Sequence, residues 1–169
     1  MPVESVLLLG NPILREKSIN VEEFNHFKTQ QTITNLVDTL THFQTQEGLG
    51  RGLAAPQIGV LEKIIVFRTP GAPDVMINPN ILEMSTEKFL VWDSCFCFNL
   101  AFFIKVERFR EVKVEYQNRI GEKEVTHAKN DLAELFQHEI DHLNGILATD
   151  RLVSPQDIMT REEWDRQLR

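Results

Sequence analysis

The segment QHEIDH, residues 137–142, places His138 and His142 four positions apart, with Glu139 directly after the first histidine. Residues four apart lie on one face of a helix, so the two imidazoles can direct nitrogens at a shared point. Glu139 is rotated about the helix and is placed to accept a proton from water rather than to bind metal. The spacing indicates a metal site with an adjacent general base, although such five-residue matches also arise by chance.

Two imidazoles make an incomplete site, because a catalytic zinc-type centre has three protein ligands and one open position. No histidine follows His142, and Glu162 and Glu163 are downstream candidates for the third ligand. Upstream, a thiolate of WDSCFCFNL (92–100) could complete a Cys-His-His set. A buried free cysteine is more often inert packing, so spacing alone leaves the choice open.

A glycine-rich segment, GLGRGLAAPQIG, occupies residues 48–59. Gly50 and Gly52 allow the backbone to approach another group closely, and Gln57 adds an amide donor. Taken alone, the segment is more typical of a simple turn between a helix and a strand.

Three helices are predicted to surround these residues. Apolar residues at helical spacing predict the first over about Glu22–Gln46. The second carries the histidines, with Asn130 as its N-cap and Gly145 just beyond its end. A third follows Ser154 as a cap and Pro155 at the first helical position.

Strands are predicted between the first two helices. Residues 63–68, 75–79 and 111–117 have the short apolar or alternating patterns of strands, and 122–127 is a candidate return strand. Strands segregated from helices predict an α+β fold, with mostly antiparallel sheets packed around the central metal-binding helix and with N-terminal and C-terminal helices.

Composition limits the possible classes of protein. With 169 residues, 42% hydrophobic and 25% charged, the chain suits one domain over residues 1–169. The net charge of −7 argues against direct DNA binding. No apolar run approaches the roughly 18 residues of a membrane span, and the run Val6–Leu9 is too short for a signal peptide. Cys95 and Cys97 are too close in the sequence for a disulfide bond between them to stabilise the fold. This cysteine usage favours the cytoplasm.

Three segments in order carry a family resemblance: GRGLAAPQ (50–57), Cys95 and HEIDH (138–142). The chain resembles the peptide deformylases, whose motifs are Gly-x-Gly-Leu-Ala-Ala-x-Gln, Glu-Gly-Cys-Leu-Ser and His-Glu-x-x-His. The similarity extends from GNPILR (10–15) to DRL (150–152).

The resemblance implies one divalent ion per chain, held by Cys95, His138 and His142. Ferrous iron is the expected physiological ion, and Zn²⁺, Ni²⁺ or Co²⁺ are expected alternatives in a purified sample. Glu139 would be the general base and acid, and Gln57 with the backbone N–H of Phe96 would hold the formyl oxygen.

The implied reaction removes the formyl group from N-formylmethionyl peptides and releases formate. The expected partners are the formylated N-termini of nascent peptides, with the ribosome surface as a further candidate. Two alternatives remain: a deformylase-like hydrolase with altered N-acyl or side-chain specificity, and an inactive deformylase-like binding protein. Retention of all five metal-site and catalytic side chains argues against the inactive protein.

The second motif departs from the family pattern, because the chain has Asp-Ser-Cys-Phe-Cys at residues 93–97. Asp93 keeps the charge of the family's glutamate and is expected to pair with Arg108. Ser94 replaces a glycine beside the substrate and could crowd that edge. Cys97 could compete for the ion, form an oxidised species with Cys95, or simply fill space.

The pocket for the first side chain of the substrate also has charged residues. Glu134 and Asp131 lie one and two turns before His138, and Arg51 occupies the variable position of the first motif. They could remodel an apolar pocket, or the acids could stabilise the helix start and pair with the arginine. The predicted substrate-binding set is Gly50, Arg51, Gly52, Ser94, Asp131, Glu134 and Leu135.

Overall fold

The computed structural model describes residues 3–48 and 50–168. Its helices are α1 (Phe27–Glu47), α2 (Asp131–Leu143) and α3 (Arg161–Leu168). Its strands are β1 (Gly52–Ala54), β2 (Ile64–Phe67), β3 (Val75–Met84), β4 (Lys88–Asp93), β5 (Phe102–Phe109), β6 (Glu111–Gln117), β7 (Lys123–Lys129) and β8 (Ile158–Thr160). The strands form two antiparallel sheets, in the orders β1-β2-β3-β6-β7 and β4-β5-β8. The predicted α+β class is confirmed.

Strand β2 contributes side chains to two hydrophobic clusters, because both of its faces are buried. Ile64 and Val66 pack in the cluster that contains Leu36 and Leu40 of α1. Ile65, one residue along, packs instead in the cluster that contains Phe136 of α2. The five-stranded sheet therefore separates the two long helices, and side-chain alternation along the strand accounts for both contacts.

Helix α1 begins later than predicted, at Phe27 rather than near Glu22. His26 is its N-cap, and Nδ1 of His26 accepts a hydrogen bond from the Lys28 amide at 3.2 Å. The carbonyl oxygens of Glu23 and Phe24 accept hydrogen bonds from side chains on the first turns of α1. The residues before Phe27 therefore contact the start of α1 without being helical themselves.

Strand β3 continues past Pro79, where the sequence predicted an end. Asn78 has a φ of 50°, and the pairing with β6 shifts register between Ile77 and Asn80. This bulge accommodates a proline that a regular ladder would reject.

Helix α2 lies in the core, with most of its residues buried. Asn130 occupies the predicted N-cap position, but its side chain makes no capping bond, and its Oδ1 instead accepts a hydrogen bond from Arg110 at 3.1 Å. The predicted terminal glycine is confirmed, because Gly145 has a φ of +71°. A Cβ on Gly145 would also lie 2.3 Å from the carbonyl oxygen of Arg15.

The predicted C-terminal helix is present, but its predicted start at Ser154 and Pro155 is wrong. Residues 155–157 form a turn, β8 follows, and α3 starts only at Arg161. Pairing of β8 with Phe102–Ile104 of β5 imposes extended backbone there. Trp164 of α3 then stacks on Phe103 at a ring-centroid distance of 4.3 Å.

Among the described residues, none of the helices combines the length and apolar character that a bilayer span requires.

Candidate metal centre and active site

The predicted ligands converge at one buried point beside α2. Nε2 of His142 lies 3.2 Å from Nε2 of His138 and 3.4 Å from Sγ of Cys95. All three side chains are buried. Neighbouring donors around a four-coordinate ion with ordinary metal–nitrogen and metal–sulfur bonds lie about 3.3 to 3.8 Å apart. The separations of His142 from Cys95 and from His138 therefore suit neighbouring donors of one divalent ion.

The chain delivers Cys95 from the end of β4, where the strand gives way to a short 3-10 turn at Phe96–Phe98. The Sγ atom of Cys95 accepts a hydrogen bond from the Cys97 amide at 3.4 Å. Burial raises the pKa of the Cys95 thiol, so it is protonated when no cation is near. A bound metal ion reverses this preference because coordination deprotonates a thiol outright.

Asp93 connects the first histidine to a buried arginine. Its Oδ2 lies 2.8 Å from Nδ1 of His138 and 3.3 Å from Nη2 of Arg108. Burial lowers the pKa of His138, but the charge and hydrogen bond of Asp93, with the charges of Glu139 and Glu134, raise it to about 9. Without a cation both ring nitrogens are therefore protonated near neutral pH; a metal ion would displace the proton from Nε2, while Asp93 holds the proton on Nδ1.

The second histidine is held differently. Burial lowers the pKa of His142 well below its usual value, so the ring is neutral. Metal-binding histidines usually donate the other ring N–H to an acceptor, yet Nδ1 of His142 is buried without a hydrogen-bond partner among the described residues.

Glu139 lies beside the cluster with an unused oxygen. Its side chain is buried, and Oε2 has no partner within the described ranges. Burial raises the pKa of Glu139 to about 7, with Asp93 and Glu134 also raising it and His138 and Arg51 opposing them. A carboxyl group with a pKa near neutrality can both accept and return a proton.

Gln57 faces the thiols from a 3-10 turn at Ala55–Ile58. Its Oε1 accepts a hydrogen bond from the Ala54 amide at 2.8 Å, which fixes the orientation of the side-chain amide. Nε2 consequently lies 3.6 Å from Sγ of Cys95 and 3.5 Å from Sγ of Cys97. The NH₂ group therefore points at the thiols and donates to both sulfur atoms.

Both glycines of the first motif lie against functional groups. A Cβ on Gly52 would lie 2.7 Å from Oε1 of Glu139. Gly50 has a φ of +102°, and a Cβ there would lie 2.2 Å from the ring of Phe96. The close backbone approach that the sequence indicated is thus directed at Glu139 and Phe96.

A cavity of about 380 Å³ opens onto this cluster. It is lined by every predicted substrate-binding residue except Asp131, whose side chain is 80% exposed. Ser94 donates from Oγ to the carbonyl oxygen of Phe102 at 2.8 Å, so its hydroxyl is tied to β5. Five further lining residues were not among the predicted site residues: Gln44, Gly48, Trp92, Leu100 and Phe103.

A buried thiol and two imidazoles beside a glutamate oxygen without a partner among the described residues are the side-chain types of a metallohydrolase site. The model of the polypeptide deformylase family matches residues 3–157. Peptide deformylase of Thermotoga maritima is 34% identical over 158 residues, which cover 94% of this chain and 92% of the relative. That of Pseudothermotoga lettingae is 38% identical over 161 residues, covering 95% and 90%.

Solved structures agree with this assignment. The crystal structure of the Synechococcus elongatus peptide deformylase in complex with actinonin has a TM-score of 0.84 at 30% identity, covering 98% of this chain and 86% of that one. The chain belongs to the polypeptide deformylase family. It is therefore a metal-dependent hydrolase that acts on the amide bond of formyl peptides.

Proposed function

We propose that the protein removes the N-terminal formyl group of N-formylmethionyl peptides at a divalent ion held by Cys95, His138 and His142. The observation that supports these ligands most strongly is the position of Nε2 of His142. It lies 3.4 Å from Sγ of Cys95 and 3.2 Å from Nε2 of His138. When bound, such an ion supplies Lewis-acid chemistry, because it acidifies water and polarises a carbonyl group. Ferrous iron is the proposed physiological ion, and Zn²⁺, Ni²⁺ or Co²⁺ can occupy a purified sample.

Glu139 is the proposed proton carrier. It takes a proton from the attacking water as the new carbon–oxygen bond forms. It then gives that proton to the leaving nitrogen as the formyl carbon–nitrogen bond breaks, so that formate and a free amine result. Its unpartnered Oε2 and a pKa of about 7 suit both steps.

Two donors hold the developing oxyanion in this proposal. They are Nε2 of Gln57, oriented by the Ala54 amide, and the backbone N–H of Phe96. Fixed donors stabilise charge that forms in the transition state without reorganisation at that moment. Retention of these groups also disfavours the alternative of an inactive binding protein.

The proposed setting is the cytoplasm, on formylated N-termini of nascent peptides close to the ribosome surface. The net charge of −7 gives no support to direct binding of the phosphates of nucleic acid.

Formate release tests the activity. Protein loaded anaerobically with Fe²⁺ should release one equivalent of formate for each formyl-Met-Ala-Ser cleaved, and chelation should abolish the release. Metal analysis of Cys95→Ala should show much lower occupancy than the wild type. Full occupancy in that variant would remove Cys95 from the ligand set, and absence of formate with a fully loaded protein would refute the activity.

A further inference from the structure

A line of alternating charges leads away from the first proposed metal-binding histidine. Oδ2 of Asp93 lies 2.8 Å from Nδ1 of His138 and 3.3 Å from Nη2 of Arg108. On its other side, Nη1 of Arg108 lies 2.5 Å from Oδ2 of Asp141. Arg151 ends the line, with Nε 2.5 Å from Oδ2 of Asp141 and Nη2 2.6 Å from Oδ1. The two aspartates are thus balanced by two arginines.

Burial makes this balance necessary. The side chains of Asp93 and Arg108 are 4% and 1% exposed, and that of Asp141 is 10% exposed. A carboxylate removed from water is costly unless a cation and hydrogen bonds compensate it. Arg151, whose side chain is 41% exposed, compensates Asp141 through a bidentate pair, which is the strongest arrangement of a guanidinium and a carboxylate.

Arg108 is shared between the two aspartates. Its Nε is buried without a partner in the part of the chain that the structure describes, so the two carboxylates decide where the guanidinium lies. The contact with Asp141, at 2.5 Å, is already shorter than the contact with Asp93, at 3.3 Å. Without Arg151, the attraction of Asp141 for Arg108 would increase. Arg108 would then be drawn away from Asp93, which would lose the cation that holds it against His138.

We infer that Arg151 is a positioning residue for the metal site: by compensating Asp141, it keeps Arg108 on the carboxylate that orients His138. Arg151 lies on the 3-10 turn Ala148–Arg151 and does not line the cavity at the cluster, so it acts through other residues. This inference rests on the proposed function, since it takes His138 as a ligand of the ion.

The alternative is that Arg151 only ties the turn after α2 to the helix. The two explanations differ when Asp141 also loses its charge. If the pair is only a tie, Asp141→Asn removes what is left of the contact and adds to the damage. If Arg151 acts by compensation, Asp141→Asn removes the competing carboxylate and leaves Arg108 to Asp93.

The test measures the Co²⁺ affinity of the full-length protein by competition with a chelator of known affinity. Arg151→Gln should bind Co²⁺ about tenfold more weakly, the lower end of the effect of changing the outer partners of a metal-binding histidine. Arg15→Gln is the matched control. It removes the same charge from a similarly exposed arginine, which pairs with Asp150, the residue before Arg151. Its affinity should equal that of the wild type, and an equal affinity in Arg151→Gln would overturn the inference.

The double variant Arg151→Gln with Asp141→Asn separates compensation from a tie. It should recover most of the lost Co²⁺ affinity. Arg151→Lys, which keeps the charge, should also bind Co²⁺ more tightly than Arg151→Gln. A double variant that binds Co²⁺ as weakly as Arg151→Gln, or more weakly, would overturn the inference and leave Arg151 with the structural role alone.

Formate assays on the same preparations separate this inference from the proposed function. Formate release by the metal-loaded wild type, with equal Co²⁺ affinities in wild type and Arg151→Gln, would refute only the inference. A metal-loaded wild type that releases no formate, with Co²⁺ affinities in the expected order, would refute only the proposed reaction.

Discussion

Oδ2 of Asp93 lies 2.8 Å from Nδ1 of His138, so the carboxylate fixes the imidazole that faces the second histidine. The same oxygen lies 3.3 Å from the buried guanidinium of Arg108. Arg108 Nη1 lies 2.5 Å from Oδ2 of Asp141. The shorter aspartate thus reaches both the histidine and the arginine without a glutamate's extra methylene.

Asp93→Asn should weaken metal binding by about 10- to 100-fold, because the amide cannot provide the charge that orients and polarises His138. The measurement is a competition for Co²⁺ with a chelator of known affinity. Asp157→Asn is the control, since Asp157 is also salt-bridged (to Lys105, 2.8 Å) but lies outside the cluster. Equal Co²⁺ affinity in wild type and Asp93→Asn would mean that this hydrogen bond does not tune the site.

Glu139→Gln should abolish most turnover while the ion stays bound. Glutamine has nearly the same shape but cannot take a proton from water, and general acid–base catalysis contributes about 10²- to 10⁴-fold. Formate release and metal content are measured on the same preparation. A variant that keeps both its metal and most of its activity would show that the proton travels by another route.

Gly52→Ala should impair catalysis through Glu139 rather than through the ion. The new Cβ would lie 2.7 Å from Oε1 of Glu139, so the carboxylate must move away from its position beside the cluster. We expect a fall in kcat of about tenfold or more with metal content unchanged, because small misplacements of a catalytic group are costly. Unchanged kcat in Gly52→Ala would show that Glu139 tolerates the displacement.

Some parts of the site were predictable from local sequence and others were not. His138, Glu139 and His142 follow from helical spacing, because their geometry is set within one turn of α2. The β4–β5 hairpin was not predicted, since the run FNLAFFIK mixes apolar residues on both faces and hides the alternation of a strand.

The start of the C-terminal helix was misplaced at Ser154 and Pro155, because pairing of β8 with β5 overrode valid local signals. Gln44 could not have been assigned from sequence either. It reaches the cavity because its Nε2 donates to the carbonyl oxygens of Gly50 and Arg68, at 2.6 and 3.0 Å. Contacts between residues that are far apart in the sequence leave no periodic signal along the chain.

Cys97→Ser tests whether the second cysteine belongs to the metal site. The ligand atoms of Cys95, Cys97 and His142 all lie within 4.8 Å of one another, so Cys97 is near enough to compete for an ion. Its Sγ, however, lies 3.5 Å from Nε2 of Gln57, and its backbone amide donates to Sγ of Cys95. Serine preserves the backbone contact and a small polar side chain.

With His138 as the third ligand, we expect Cys97→Ser to keep full metal content, and a Co²⁺-loaded sample to keep the sulfur-to-cobalt charge-transfer band of the wild type. Cys95→Ser is the matched comparison and should lose both, because a hydroxyl is a far poorer ligand than a thiolate for this kind of ion. A band of about half intensity in Cys97→Ser would instead identify two thiolate ligands. In that case four protein groups would surround the ion, which is the closed arrangement of structural sites and leaves no open position for water.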